Sequence, residues 1–176
     1  MAFSNIQIHT EHLPRIGEIS WKPLKSDYRL VSLIGEAIFW LILFSLATFI
    51  LFLKSDEISR GMSLSILLVI VTLSILRLLT VFFAFRHKGF AIREQDVLYK
   101  KGLFWKTQTS IPFNRVQHCE VKQGPIERMF DLAQLIVYTA GGSTSDLRVP
   151  GLEPTEANSI KHFILDKSGS SVEEEE

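Results

Sequence analysis

The chain has 176 residues, of which 47% are hydrophobic and 22% are charged, and its formal net charge is zero. The apolar residues are concentrated between positions 30 and 85, so only about ninety residues follow them, too few for a large two-domain enzyme. An aromatic content of 11% excludes a chain that is disordered throughout. The single cysteine, Cys119, cannot form an internal disulfide and therefore indicates no oxidising compartment.

After a cytoplasmic segment over residues 1–29, two transmembrane helices are predicted over residues 30–53 and 61–85. Each range is an apolar run with one ionisable residue inside it, and each exceeds the roughly 20 residues that cross a bilayer. Only seven residues separate the runs, so the helices must form an antiparallel hairpin. A cleaved signal peptide does not fit, because the first run is too long for one.

Basic residues flanking the two runs predict their orientation. The segment before the first helix and the segment after the second are richer in Lys and Arg than the connecting turn, and such residues are retained on the cytoplasmic side. The expected protein therefore crosses the cytoplasmic (inner) membrane twice and has both termini in the cytoplasm.

Glu36 and Arg77 are the two ionisable residues inside the predicted spans. Counted from the connecting turn, their depths differ by only about 1.5 Å at helical rise. They are candidates for an intramembrane pair, since ionisable residues inside a span usually pair within the bundle. The alternative is that each side chain reaches separately to the cytoplasmic interface.

Beyond residue 86 the pattern changes to short alternating segments divided by turn residues, which is typical of β-strands. Strands are predicted over residues 89–93, 97–101, 107–111, 116–122, 135–138 and 147–149. A helix is predicted over 154–166, with Pro154 in its first turn and apolar residues at helical spacing. Residues 86–166 should thus form a small α+β domain of six or seven strands capped by this helix, followed by a disordered acidic tail over 167–176.

Several segments resemble, in order, the bacterial pleckstrin-homology (PH) domain of YdbS-like membrane proteins. The resemblance covers roughly residues 88–165, and its segments are 102–105, 111–118, 123–125, 138–142 and 149–152. It implies a PH-like fold of two curved antiparallel sheets capped by a helix. It also implies a membrane protein without assigned catalysis and a larger companion protein that carries several such domains. One departure is Asp131, which stands where the family usually has glycine.

Motifs for catalysis and metal binding are missing from the sequence. It contains no Gly-x-Ser-x-Gly elbow, no phosphate-binding Gly-x4-Gly-Lys-Ser/Thr loop and no His-Glu-x-x-His helix. The five histidines are scattered, and only His118 and Cys119 are adjacent, on opposite faces if they lie in a strand. We therefore expect a non-enzymatic protein without catalytic residues, cofactor or metal.

The domain following the hairpin is basic, with nine Lys/Arg against four Asp/Glu between positions 86 and 128. Its most suggestive segment has an apolar tip between cations, a composition typical of a loop that dips into the lipid interface. The lipid-interface candidates are Lys100, Lys101, Leu103, Phe104, Trp105 and Lys106. The alternative is that the apolar residues pack into the domain or against a partner chain.

Arg115 and Gln117 flank Val116 in the most family-like segment and are partner-contact candidates. On one strand face, both could contact another PH-like domain, or they could bond internally to Asp131 or Glu127. Nucleic acid is not expected as a partner, because aromatic and basic residues do not alternate as a stacking platform requires. A homo-oligomer is allowed by small residues in the spans, but no Gly-x-x-x-Gly pattern specifies one.

The sequence favours a non-enzymatic inner-membrane protein that displays a PH-like domain to a protein partner. The alternatives are an anionic-lipid sensor and a non-catalytic subunit of a transporter or hydrolase complex. Membrane lipids are expected partners in each case. The ligand and the physiological process are not specified by any motif.

Overall fold

A computed structural model describes residues 19–140 and 146–169; residues 141–145 and most of the predicted acidic tail lie outside that description. Its first feature is a hairpin of two long helices, α1 (Asp27–Leu53) and α2 (Arg60–Ala84). Both are long and apolar enough to be candidate membrane spans. Ser59 begins α2 as its N-cap, because its hydroxyl accepts a hydrogen bond from the Met62 amide at 3.3 Å.

Seven strands in the described residues form two antiparallel sheets, in agreement with the predicted PH-like architecture. The first sheet contains β1 (Lys22–Pro23), β2 (Gly89–Ile92), β3 (Asp96–Lys101) and β4 (Thr107–Pro112). The second contains β5 (Val116–Lys122), β6 (Ala133–Thr139) and β7 (Leu147–Leu152). A short helix α3 (Pro125–Met129) connects β5 to β6, and α4 (Pro154–Ser168) packs over β5 and β6.

The core lies between the two sheets and α4. It is built from inward-facing side chains of alternating strand positions, and several are completely buried. The completely buried members include Val97, Cys119, Ala133, Val137, Ala157 and Ile164. The interior is apolar, since no polar or charged residue in the described chain is classed as buried.

Strand β1 was not predicted, and it changes the boundaries of the PH-like module. It precedes α1 in sequence but pairs with β2, with Lys22 opposite Phe90 and Pro23 opposite Gly89. The neighbouring Leu24 is only 5% exposed and belongs to the same core. The helical hairpin is therefore inserted between the first and second strands of one sheet, and the module includes residues from before the hairpin.

Asp131, the departure from the family pattern, has a φ of 50° in the left-handed region. It follows α3, and the next amide, that of Leu132, donates to the Glu127 carbonyl at 2.9 Å. This is the geometry in which a glycine commonly ends a helix. Aspartate is among the few other residues that tolerate the conformation, so the turn keeps its shape without glycine.

The register gives the module two distinct ends. Gly89, which follows the hairpin closely, lies opposite both Pro23 and Lys100, and Lys101 lies opposite Thr107. We call this the hairpin-proximal end. The opposite, hairpin-distal end contains the pair Asp96–Pro112 and, in the second sheet, the pair Val116–Thr139.

Tyr28 in the first turn of α1 holds the module against the hairpin. Its side chain packs on Gly151, whose φ is +67° and where an added Cβ would lie 2.6 Å from the tyrosine. The Lys25 amide donates to the Gly151 carbonyl at 3.0 Å. Lys25 also pairs with Glu153, and Lys22 pairs with Glu156 at 2.6 Å. Strand β7 and helix α4 are thus docked on the entry to α1.

Candidate lipid-facing and partner-facing surfaces

The loop between β3 and β4 projects two aromatic rings from the hairpin-proximal end. Gly102 has a φ of +109°, and an added Cβ would lie 1.8 Å from the Trp105 carbonyl oxygen, so only glycine allows this tight turn. The side chains beyond the turn point outward: Phe104 is 75% exposed and Trp105 is 86% exposed. Their ring centroids lie 6.4 Å apart in an edge-to-face arrangement.

The remaining lipid-interface candidates surround those two rings. Lys101 and Lys106 are exposed, whereas Leu103 is half-buried. Lys100 is held over the Trp21 ring, with its ammonium 4.5 Å from the ring centroid. Leu103 therefore packs partly into the domain, which was the alternative to a lipid-facing loop, whereas Phe104 and Trp105 do not.

Arg115 and Gln117 lie at the other end of the module. Arg115 ends a 3-10 turn at the corner between the two sheets, and Gln117 lies at a register shift between Val116 and His118. Both residues are exposed, and neither side chain has a hydrogen-bond partner within the described ranges. The internal bonds considered for them are not formed there.

Glu127, one of the acceptors considered for Arg115 and Gln117, has another role. Its carboxylate accepts from the Gly124 amide at 2.7 Å, which caps the start of α3. The Glu127 carboxylate therefore stabilises the start of α3. The partner-contact candidates remain available to the solvent at the hairpin-distal end.

The structure brings Glu36 and Arg77 together across the hairpin. The Arg77 Nε donates to Glu36 Oε1 at 3.2 Å, and one terminal guanidinium nitrogen lies 3.2 Å from the same oxygen. The carboxylate side chain is 23% exposed and the guanidinium side chain is 58% exposed. The ion pair connects α1 to α2, as the sequence predicted for an intramembrane pair.

A groove of about 640 Å³ runs beside this ion pair, between the two helices and the start of the PH-like module. Sequence reasoning missed it. Its signal was the spacing of Tyr28, Ser32, Glu36 and Trp40, because residues four apart lie on one face of a helix. All four residues line the groove, and Arg77 and Lys88 line it from the other side.

Lys88 joins the groove to the PH-like module. Its ammonium lies 5.2 Å from the centroid of the Tyr28 ring. Burial, helped by the positive charge of Lys101, lowers the pKa of Lys88. No acidic side chain pairs with Lys88 in the described part of the chain.

Cys119 and His118 are separated by the strand pleat. The Cys119 side chain lies in the core at 0% exposure, whereas His118 is exposed and faces Glu120 at 3.3 Å. Burial raises the pKa of Cys119 to about 11. The thiol is thus a small core residue, and the adjacent pair does not form a joint ligand set.

Comparison with known proteins assigns this architecture to a family. A family model described as "Bacterial PH domain" matches residues 37–168, which is more than half of the chain. The chain belongs to the bacterial PH domain family. Its match begins inside α1, so it includes most of the hairpin together with the module.

A curated relative supports the membrane character of the chain. The UPF0699 transmembrane protein YdbS of Bacillus subtilis (strain 168) is 32% identical over 81 residues, covering 45% of this chain and 49% of that protein. The match thus spans about half of the relative's length. No solved structure matches the chain. Family, relative and apolar hairpin together describe a YdbS-like transmembrane protein with a PH-like domain.

Proposed function

We propose that this is a non-enzymatic protein of the cytoplasmic (inner) membrane that holds a PH-like domain on the cytoplasmic side for protein assembly. In this proposal the hairpin crosses the bilayer with both termini in the cytoplasm. The hairpin-proximal loop rests in the lipid interface, and the hairpin-distal end receives a protein partner. A larger membrane protein with several PH-like domains is one class of partner.

The strand register carries the proposal, because it sorts the two sets of candidate residues to opposite ends of the module. Lys101 and Thr107, which flank the aromatic loop, are level with Gly89, where the chain has just left the hairpin. A loop at this level meets the headgroup region if α2 spans the bilayer. Aromatic rings favour that region, and each nearby Lys or Arg adds on the order of 1 kcal/mol of attraction to anionic lipid.

Trp105 provides a direct test of the lipid contact. In the full chain, Trp21→Phe and Trp40→Phe leave Trp105 as the only tryptophan, and the protein is reconstituted into vesicles containing phosphatidylglycerol. We expect brominated phospholipid to quench Trp105 fluorescence and acrylamide to reach the ring poorly. The contact should weaken in Lys101→Gln/Lys106→Gln, because the loop then loses its attraction to the anionic surface.

A matched control places the reporter at the other end of the module. The chain in which all three native tryptophans are replaced by phenylalanine receives Asn114→Trp at the exposed hairpin-distal corner. This reporter should be quenched by acrylamide and spared by brominated lipid. Equal acrylamide access at the two positions would contradict a lipid-seated loop.

Partner binding is tested at Arg115 and Gln117. A photo-crosslinking amino acid at Gln117 should form protein adducts in native membranes, since this exposed site lies away from the hairpin. The same amino acid at Phe104 should instead form lipid adducts. Protein adducts at Phe104 with none at Gln117 would reverse the assignment of the two ends.

A further inference from the structure

The groove beside the Glu36–Arg77 pair extends along α1. Tyr28 lines it at the start of the helix, and Trp40 lines it 12 residues later, about 18 Å away at helical rise. The Trp40 indole nitrogen is buried and has no hydrogen-bond partner in the described structure.

The groove also has an excess of positive charge. It is lined by two cations, Arg77 and Lys88, and by one carboxylate, that of Glu36. The guanidinium directs two nitrogens to one oxygen of Glu36, which leaves further N–H donors on the same plane. Lys88 is half-buried and has no acidic partner among the described residues. The site therefore suits a ligand with an anionic, oxygen-rich group.

The other walls of the groove are apolar. Val31 and Phe39 from α1 and Val81 from α2 line it between the polar groups. Since the groove runs along both helices, a ligand in it has a polar part near Lys88 and an apolar part along the helices. An amphiphile meets both requirements, whereas a free ion meets only the first.

We propose that this groove binds an anionic phospholipid, with its phosphate against Lys88 and Arg77 and an acyl chain along the apolar wall. Trp40, about 15 Å below Leu30 at helical rise, borders the acyl chain. Basic pockets between membrane helices on the cytoplasmic side recognise such headgroups. The site is separate from the aromatic loop, and it rests on the proposed placement of the hairpin in the membrane.

Trp40 reports occupancy of the groove. In the full chain, Trp21→Phe and Trp105→Phe leave it as the only tryptophan, and the protein is reconstituted into phosphatidylcholine vesicles. Brominated phosphatidylglycerol or brominated phosphatidylcholine is then added in increasing mole fraction. We expect half-maximal quenching at an approximately fivefold lower fraction of the brominated phosphatidylglycerol, the preference that one lysine contact provides.

Variants of Lys88 separate a specific site from general surface charge. Lys88→Gln should abolish most of the preference, and Lys88→Arg should restore it, which also shows that the position tolerates substitution. Arg86→Gln removes one positive charge at the same end of the hairpin from an exposed side chain outside the groove, so the preference should persist. Equal quenching by the two lipids, or equal losses in Lys88→Gln and Arg86→Gln, would overturn the proposal.

The source of the phosphate and the membrane placement are tested in the same vesicles. An excess of inorganic phosphate should not change the preference; its loss would identify a free-phosphate site and overturn lipid binding. Quenching of Trp40 by both lipids without preference refutes the groove alone. Absence of quenching by either lipid refutes the membrane placement on which the proposed function depends.

Discussion

At the scale of single residues, Cys119 shows how burial determines chemistry. The side chain is completely enclosed by the core between the sheets and α4, and this burial raises its pKa to about 11. Because the thiolate is the reactive form, the native thiol is protonated and unreactive at neutral and mildly alkaline pH. The same residue in an unfolded chain titrates near its ordinary value of 9.0.

We therefore predict that a disulfide reagent at pH 8 modifies Cys119 slowly in the native protein and at least tenfold faster after denaturation. The raised pKa also makes the free energy of unfolding depend on pH. The Cys119 thiol favours the native state below about pH 9, and this contribution declines as the pH rises toward 11. Thiol release measured with and without denaturant tests the first part. Equal rates in the two conditions would place the cysteine outside the core.

Gly151 shows how one residue secures the docking of two elements. Strand β7 meets the first turn of α1 at this position, and a methyl group there would overlap the Tyr28 side chain. Gly151→Ala should lower the unfolding free energy by about 1–3 kcal/mol, through overpacking and through the cost of a left-handed alanine.

Gly61→Ala is the matched control for Gly151→Ala. An added Cβ at Gly61 meets nothing within 4 Å, and alanine favours the helix. Thermal unfolding in detergent should thus separate the two variants. Equal midpoints would show that α1 and β7 are not docked through this glycine.

At the scale of elements, the Glu36–Arg77 pair connects α1 to α2. Glu36→Gln and Arg77→Leu should each destabilise the hairpin, because each leaves one charge without its partner. The double variant should lose less than the sum of the two, with a coupling of roughly 0.5–2 kcal/mol. Unfolding in mixed detergent, followed by tryptophan fluorescence, measures this coupling. Strictly additive losses would mean that the contact contributes nothing.

Sequence patterns were sufficient for the elements that have a long apolar run or clear turn residues at their ends. The two apolar runs predicted α1 and α2 within about three residues at either end, and β5 was predicted at its observed bounds. Both signals are local: apolar length defines a candidate span, and turn residues delimit a strand.

The elements that were missed are short or depend on distant partners. Strand β1 has two residues and exists only because Lys22 and Pro23 meet β2 across the hairpin. Helix α3 has five residues, too few for helical periodicity to be recognised in the sequence. The groove required the packing of α1 against Arg77 and Lys88, which no linear pattern specifies.

At the scale of the whole molecule, the PH-like module contains residues that precede the hairpin in sequence and residues that follow it. Leu24 is buried with Phe90 in one core, although the complete hairpin separates them in sequence. A fragment containing only residues 86–169 lacks that leucine and strand β1. Restoring residues 19–26 through a flexible linker should stabilise the fragment by about 2 kcal/mol, mainly through burial of Leu24.

Denaturant unfolding of the linked fragment and of the same fragment with Leu24→Ala tests this prediction. The alanine variant should lose most of the gain, since the linker alone buries no apolar surface. Equal midpoints for the linked fragment and its alanine variant would show that the module is complete without its upstream strand.

The insertion of the hairpin between β1 and β2 also orders the events of biogenesis. Residues 22–23 leave the ribosome before either apolar helix has been made, yet their pairing partner follows both helices. The first sheet can therefore be completed only after the hairpin has been synthesised and has brought its two ends together. A chain stalled at the insertion machinery would keep an unpaired strand and an uncovered leucine, features that proteolytic quality control can recognise.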